Sequence, residues 1–242
     1  MKLIIDIGNT AAKVAVFENN EIIKVYNCSN THLEVLDEVC NSYTIEKCII
    51  SSVIDINQKI KDQLNEIPFD HFILNHQTAI PIINQYHTPE TLGMDRLAAV
   101  IAANDIFPEK DILVIDAGTC ITYDLIDSKG NYKGGNISPG VEMRFKALNH
   151  FTDKLPLINK EGDTLLYGIN TETAIRSGVM TGIEMEIKGY ISLLRNNYPR
   201  LLVFLTGGNE FSFDTNLKSI IFADKFLVLK GLNRILNYND KL

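Results

Sequence analysis

No apolar run in the 242 residues approaches the roughly 20 that a membrane-spanning helix needs; the longest, LAAVIAA at 97–103, stops far short. No secretory leader is expected either, because the first apolar stretch is cut almost at once by Asp6. Basic residues form no tract, and the formal net charge of -7 argues against a nucleic-acid or anionic-membrane surface. Cysteine is sparse: Cys28, Cys40, Cys48 and Cys120 make no Cys-x-x-Cys pair and read as reduced thiols rather than a disulfide frame or zinc site. The five histidines lack His-x-x-x-His spacing, so they are assigned no metal. A cytoplasmic protein without a nucleic-acid or membrane partner is the expectation.

What the chain has is an ordinary globular balance, 45% hydrophobic and 22% charged, with length enough for one large or two modest domains. KLIIDIG, AKVAVFE and EIIKVYNC read as three strands, the last two joined by the turn ENNE at 18–21. Helical spacing follows at 32–42, then the strand KCIISSV, a helix near 56–66, the strand HFILN and a loop carrying Pro81 and Pro89. MDRLAAVIAANDIF is apolar on nearly every side and predicts a buried helix; Pro108 and EKD mark a boundary after it. The second half restarts with DILVIDAG and CITYDLIDSKG, passes the glycine-rich NYKGGNISPG, and predicts helices near 139–150 and 172–198. The strand RLLVFLTGG and the helix VLKGLNRILNY close it. The repeated unit is the half itself, strand, Asp-x-Gly, Thr, strand and a helix-rich tail, which predicts two similar α/β lobes, 1–108 and 109–242, facing across a cleft.

LIIDIGNT at 3–10 and LVIDAGT at 113–119 carry the chemistry of that repeat. Glycine just after a strand lets backbone N–H groups approach a ligand, and Asn9, Thr10 and Thr119 add hydrogen bonds without blocking the way. Such geometry suits phosphate oxygens, with Lys13 adding positive charge at the loop edge. Asp6 and Asp116 would repel phosphates, so two aspartates there imply intervening cations, Mg²⁺ most naturally. One Asp-x-Gly is a common turn; two in matched positions, with a third strand ending in Thr206, Gly207 and Gly208, point to a nucleotide cleft.

TLGMDRLAAV at 91–100 places Gly93, Met94, Asp95 and Arg96 at the start of the buried helix. Asp95 can be an N-cap or first-turn acid, with Arg96 directed to water. Alternatively Asp95 accepts a proton from an attacking hydroxyl while Arg96 pairs with an anionic or polar part of the substrate. A carboxylate is a weak base for an alcohol, but it suffices where proton transfer comes late, as in a loose phosphoryl-transfer transition state.

The ordered set DIGNTAAK (6–13), GMDR (93–96), DAGT (116–119), GGNISPG (134–140), NTETAIRSG (170–178), TGG (206–208) and LVLKGL resembles the type III pantothenate kinases. These belong to the acetate kinase, sugar kinase, Hsp70 and actin superfamily. The resemblance implies actin-like (ribonuclease H-like) lobes and ATP-dependent phosphorylation of pantothenate at its primary hydroxyl, the first committed step toward coenzyme A. It also implies that Asp6, Gly8, Asn9, Thr10 and Lys13 form the first phosphate loop, that Thr119, Gly207 and Gly208 meet ATP, and that Asp95 is the base. Tyr86, Gly93, Met94, Asp95, Arg96 and Thr171 would contact pantothenate. Asp116, with Asp6, would hold metal, Asp116 serving the K⁺ or NH₄⁺ that the family requires beside MgATP. A homodimer with substrate near the interface is implied too. Read alone, Tyr86 can equally be a packed loop aromatic and Thr171 a helix cap. Pro139 reads as a helix start. A nucleotide-binding regulator without turnover, a phosphatase, or a kinase for another small acid or sugar remain alternatives at this stage.

Overall fold

The computed structural model describes residues 1–208 and 220–240. Three β-forming runs open the chain: β1 (Lys2–Ile7), β2 (Ala12–Glu18) and β3 (Glu21–Cys28), an antiparallel meander. Its β2–β3 turn puts Asn19 at φ 54°, a conformation that asparagine tolerates. After α1 (Leu36–Ser42), β4 (Lys47–Ser52) pairs parallel with β1; after α2 (Gln58–Asn65), β5 (Asp70–Ile73) pairs parallel with β4. The sheet order is β3-β2-β1-β4-β5.

The chain then passes β6 (Ile83–Asn84), a short 3-10 turn (Pro89–Thr91) and α3 (Met94–Ile106). β7 (Ile112–Ala117), β8 (Cys120–Ile126), β9 (Asn131–Pro139), α4 (Val141–His150), α5 (Thr171–Asn197), β10 (Leu202–Gly207), β11 (Ile221–Ala223) and α6 (Leu227–Asn239) complete it. The second sheet runs β11-β10-β7-β8-β9-β6. Stripped of β6 and read backwards, it repeats the first: three consecutive strands, then two more added parallel beside the first of them. The duplication seen in two short motifs is thus a duplication of topology.

Alternation decides which side of each sheet is oily. Leu3, Ile5, Ile7, Val14 and Val16 pack with Leu36, Val39, Ile60 and Leu64 of α1 and α2. In the second sheet Leu113, Ile115, Ile121 and Val203 meet the stripe Ile175, Val179, Ile183, Ile187 and Ile191 of α5, spaced four apart so that one face of a long helix is buried. All four cysteines are free, Cys28 and Cys48 buried. No helix among the described residues is long and apolar enough to cross a membrane.

Contacts divide the chain into two units: Met1–Glu109 with Ile126–Gly134 and the segment from Phe226 onward, and Lys110–Leu125 with Gly135–Lys225. The chain leaves the first unit at 109/110 and returns to it for 126–134 and from Phe226 onward. α6 packs on α3, with Gly231 so close to Ala98 that a Cβ there would land on its carbonyl. Lys2 and Lys47 bind Asp240, Arg234 binds Asp105, and Asn239 donates to the Ala79 carbonyl. Half-buried strand faces on β1 and β4 need a helical cover, and α6 supplies it from the far end of the chain. Other local expectations shift as well. The glycine-rich segment is largely strand β9, and Pro139 ends that strand while Gly140 caps α4. α1 begins only at Leu36, and β6 and β11 were not foreseen.

Candidate active site

The connection from β1 to β2 is residues 8–11, closed by the Gly8 N–H donating to the Ala11 carbonyl (3.0 Å). A Cβ on Gly8 would lie 3.1 Å from that carbonyl oxygen, tighter than ordinary packing allows. Asp6 is half-buried on the face opposite Leu3, Ile5 and Ile7, directly across from Lys13 on β2 and Ser51 on β4. A carboxylate and an ammonium therefore share one rung, next to a fully buried Ser51 hydroxyl without a hydrogen-bond partner. Asn9 and Thr10 are exposed. The amide of Asn30 donates to the carbonyls of Gly8 (3.2 Å) and Asn9 (2.8 Å), a contact that no sequence motif announces.

The β7–β8 connection is tighter, only Gly118 and Thr119, with the Gly118 N–H donating to the Cys120 carbonyl (3.0 Å). Asp116 is half-buried and Thr119 exposed. Gly140 lies flat on this turn: its N–H donates to the Thr119 carbonyl (3.1 Å), and a Cβ would collide with the Gly118 and Thr119 oxygens. Thr206 and Gly207 on β10 stand in register with Asp116 and Ala117. Gly207 has φ 99°, and a Cβ on it would sit 2.6 Å from the Ala117 backbone, so space and conformation both demand glycine. Gly208 faces open space.

Arg144 braces the approach to Gly140. It donates to the Pro139 carbonyl (2.8 Å), the Ser138 hydroxyl (2.9 Å) and Glu186 (2.5 Å), which also accepts from the Tyr123 hydroxyl (2.8 Å). Burial pushes the Glu186 carboxyl up, yet the hydrogen bonds from Arg144, Ser138 and Tyr123 prevail and hold it below its ordinary value. Burial and then Glu186 push the Tyr123 phenol well up.

The third constellation lies at the start of α3. Gly93 is the N-cap and Asp95 a first-turn acid whose Oδ1 accepts from the Arg96 N–H (2.8 Å), folding the carboxylate back over the helix end. A Cβ on Gly93 would sit 2.5 Å from that Oδ1, so glycine leaves the carboxylate its place. Arg96 does not point to water: at 7% exposure it is buried, with its guanidinium 5.8 Å from the centre of the Tyr86 ring. Tyr86 in turn touches Tyr132 (6.2 Å between centroids) and would meet a Cβ on Gly134 at 3.4 Å. GMDR and the tyrosine of NQYH thus form one group. Met94 is buried.

Thr171 is exposed, but it is not the cap. Asn170 caps α5 through a capping box with Thr173, and Thr171 is the first helical residue. It lines an apolar hollow of about 800 Å³ with Arg144, Phe151, Leu155, Ile175 and Val179. Arg176, buried on the same helix, donates to the Asn159 carbonyl of the preceding loop and to Glu172 one turn back on α5, and Ser177 accepts from the Leu165 N–H. Asp6, Tyr86 and the Gly93–Arg96 turn belong to the first unit, and Asp116, Thr119, Thr171, Gly207 and Gly208 to the second. Among the described residues no three His, Cys, Asp or Glu side chains gather as a metal site.

The family model for type III pantothenate kinase matches residues 2–193. The chain belongs to that family. A type III pantothenate kinase of Phocaeicola vulgatus is 61% identical over all 242 residues, with the whole of both chains covered. One from Bacteroides fragilis is 60% identical over 99% of each. A solved structure from Campylobacter jejuni, assigned to the Baf family of transcriptional activators, aligns at TM-score 0.63 and 24% identity, covering 99% of this chain and 100% of that one. It shows the fold alone. A ROK family protein from Streptococcus pneumoniae, solved with sucrose, aligns at TM-score 0.55 and 15% identity over 99% and 100%. The two sheets with duplicated strand order have the actin-like fold.

Proposed function

We propose that this member of the family uses ATP to phosphorylate the primary hydroxyl of pantothenate, the opening step toward coenzyme A. Full-length identity of 61% to a relative of that name carries the reading, and the anchored carboxylate of Asp95 gives it a chemical basis. Likeness to the Campylobacter structure at 24% identity is too distant to favour a regulator.

Residues 6–13 form the first phosphate loop, and Thr119, Gly207 and Gly208 contact ATP. The donor set fits Mg²⁺ travelling with ATP, which takes one or two carboxylates and fills its shell with phosphates and water. Asp6, half-buried at its strand end, would hold it. When bound, the ion neutralises charge on the phosphate oxygens. Asp116 would ligate K⁺ or NH₄⁺.

Asp95 accepts the hydroxyl proton as the phosphoryl group arrives. Its Oδ1 is held by the Arg96 N–H, so the carboxylate is oriented before substrate binds. Arg96 pairs with an anionic or polar part of pantothenate, and Tyr86, stacked with it, covers the gem-dimethyl group. Thr171 contributes from α5. A homodimer is supported by the outer face of that helix: Ala174, Gly178, Met185, Gly189 and Leu193 are exposed, and Gly178, Gly182 and Gly189 have nothing within 4 Å of a Cβ. Sedimentation as a single chain at micromolar concentration would refute the dimer.

The test is ATP consumption with pantothenate, with and without K⁺ or NH₄⁺, for wild type and Asp95→Asn. Turnover should need pantothenate and the monovalent ion, and should collapse in the variant while MgATP still binds. Nucleotide binding without turnover in wild type would overturn the reading.

A further inference from the structure

Asn30 lies in the loop after β3, more than twenty residues from Gly8 and Asn9, yet it holds the backbone of the phosphate loop there. Both of its partners, the carbonyls of Gly8 and Asn9, are acceptors, so its amide must present the NH₂ group to them. In a trans peptide the C=O and the following N–H point in opposite directions. Drawing the Gly8 and Asn9 carbonyls toward Asn30 therefore turns the N–H groups of Asn9 and Thr10 the other way, side by side. That is the arrangement by which successive backbone amides receive an anion.

Asn30 is itself held firmly. Asn57, the N-cap of α2, accepts from the Ile60 N–H (2.9 Å) and donates to the Thr31 carbonyl (3.1 Å). Gln63 of the same helix accepts from the Leu33 N–H (3.0 Å), donates to the Leu33 carbonyl (3.1 Å) and lies 2.9 Å from His32 Nδ1. The Ser29 hydroxyl accepts from the Thr31 N–H (3.1 Å). Residues 29–33 are thus fastened to α2, and Asn30 passes that rigidity to the loop through the Gly8 and Asn9 carbonyls.

We propose that Asn30 is a positioning residue for nucleotide phosphate binding, acting through the Gly8 and Asn9 carbonyls without touching the ligand. The proposal rests on reading residues 6–13 as the phosphate loop. With the clamp gone, the two peptides can rotate, and ordering them again is charged against ATP binding and not against pantothenate.

The experiment compares full-length Asn30→Ala, Asn30→Asp and Gly8→Val with wild type, measuring calorimetric affinity for MgATP and tripolyphosphate, KM for pantothenate, and melting temperature. Asn30→Asp keeps the shape, loses both donors and adds a negative charge; charge alone would weaken phosphate binding in Asn30→Asp but not in Asn30→Ala, so the clamp requires a loss in both. Expected are losses of about tenfold in affinity for both phosphate ligands in both Asn30 variants, the worth of one or two hydrogen bonds. The pantothenate KM should stay within about twofold in the same variants. Unchanged phosphate affinity in either Asn30 variant, with Gly8→Val impaired, overturns the clamp and spares the loop reading. Unchanged affinity in all three overturns the loop reading and the clamp with it. If Asn30→Ala fails to fold, Asn30→Ser replaces it, a neutral variant without the amide donors, and the same outcomes apply.

Discussion

Replacing Gly93 by alanine tests the assignment of Asp95 without touching its carboxylate chemistry. The added methyl would sit 2.5 Å from Asp95 Oδ1, and relief to ordinary contact requires the oxygen to retreat by roughly 0.7–0.9 Å. The oxygen ends a flexible side chain, so the fold has little to lose. The change also puts alanine at an N-cap, and the total should stay below about 1 kcal/mol. Catalysis has more to lose, since the retreat strains the bond from the Arg96 N–H that aims the carboxylate. A misplacement near 1 Å costs about 100-fold in rate, less than the upper end of the 10²–10⁴ or so that removing a general base costs. Steady-state kinetics should show kcat down about 100-fold, with KM for ATP little changed and melting temperature close to wild type. In an Asp95→Asn background the same substitution should add almost nothing, because both act through one carboxylate. A kcat within about twofold of wild type, or full additivity in the double variant, would refute the role given to this carboxylate.

Two further substitutions probe the fold that carries the site. Gly231→Ala drives a methyl into the Ala98 carbonyl, where backbone meets backbone and neither helix can yield cheaply; a loss of roughly 2–4 kcal/mol in urea unfolding is expected, and a change under about 0.5 kcal/mol would show that α6 does not seat as described. Asp240→Asn addresses acid stability. Burial pushes the Asp240 carboxyl up, but hydrogen bonds from Lys2 and Lys47 outweigh it and the pKa falls below its ordinary value. A depressed carboxylate stabilises fully above its unfolded pKa, about 3.9, and that stability disappears as pH falls through the lower folded value. The variant should therefore be less stable than wild type at pH 7, by less than about 1 kcal/mol for a partly exposed pair. The gap should close below about pH 4; a gap independent of pH would assign the loss to packing.

Most strands and helices were legible because they depend on local pattern. Leu3, Ile5 and Ile7 alternate, and Ile175, Val179, Ile183 and Ile187 recur every fourth residue, so each announces its period and its buried face. What could not be read locally depends on distant chain. β6 and β11 are too short for a pattern, and β9 hides behind glycines that exist for close approach: a Cβ on Gly135 would fall on the Tyr123 carbonyl. The place of α6 is the clearest case. Its sequence says amphipathic helix, but nothing in it says that its apolar side covers α3 and the back of β1 and β4.

The site divides along the same line. Gly93, Asp95 and Arg96 are consecutive on a helix start, and Asp6 or Asp116 stands at a strand end before glycine, so a short window contains both the residue and the reason for it. Arg96 over Tyr86 and Asn30 on the Gly8 and Asn9 carbonyls join segments about ten and twenty residues apart, and only folding brings them together. The groups that bind or react must keep an unusual chemistry in sequence, which makes a motif. The groups that aim them need only a donor at the right point in space, and many sequences supply one. Asn30 is an ordinary loop asparagine by every local measure, and its importance is a property of the two carbonyls it meets.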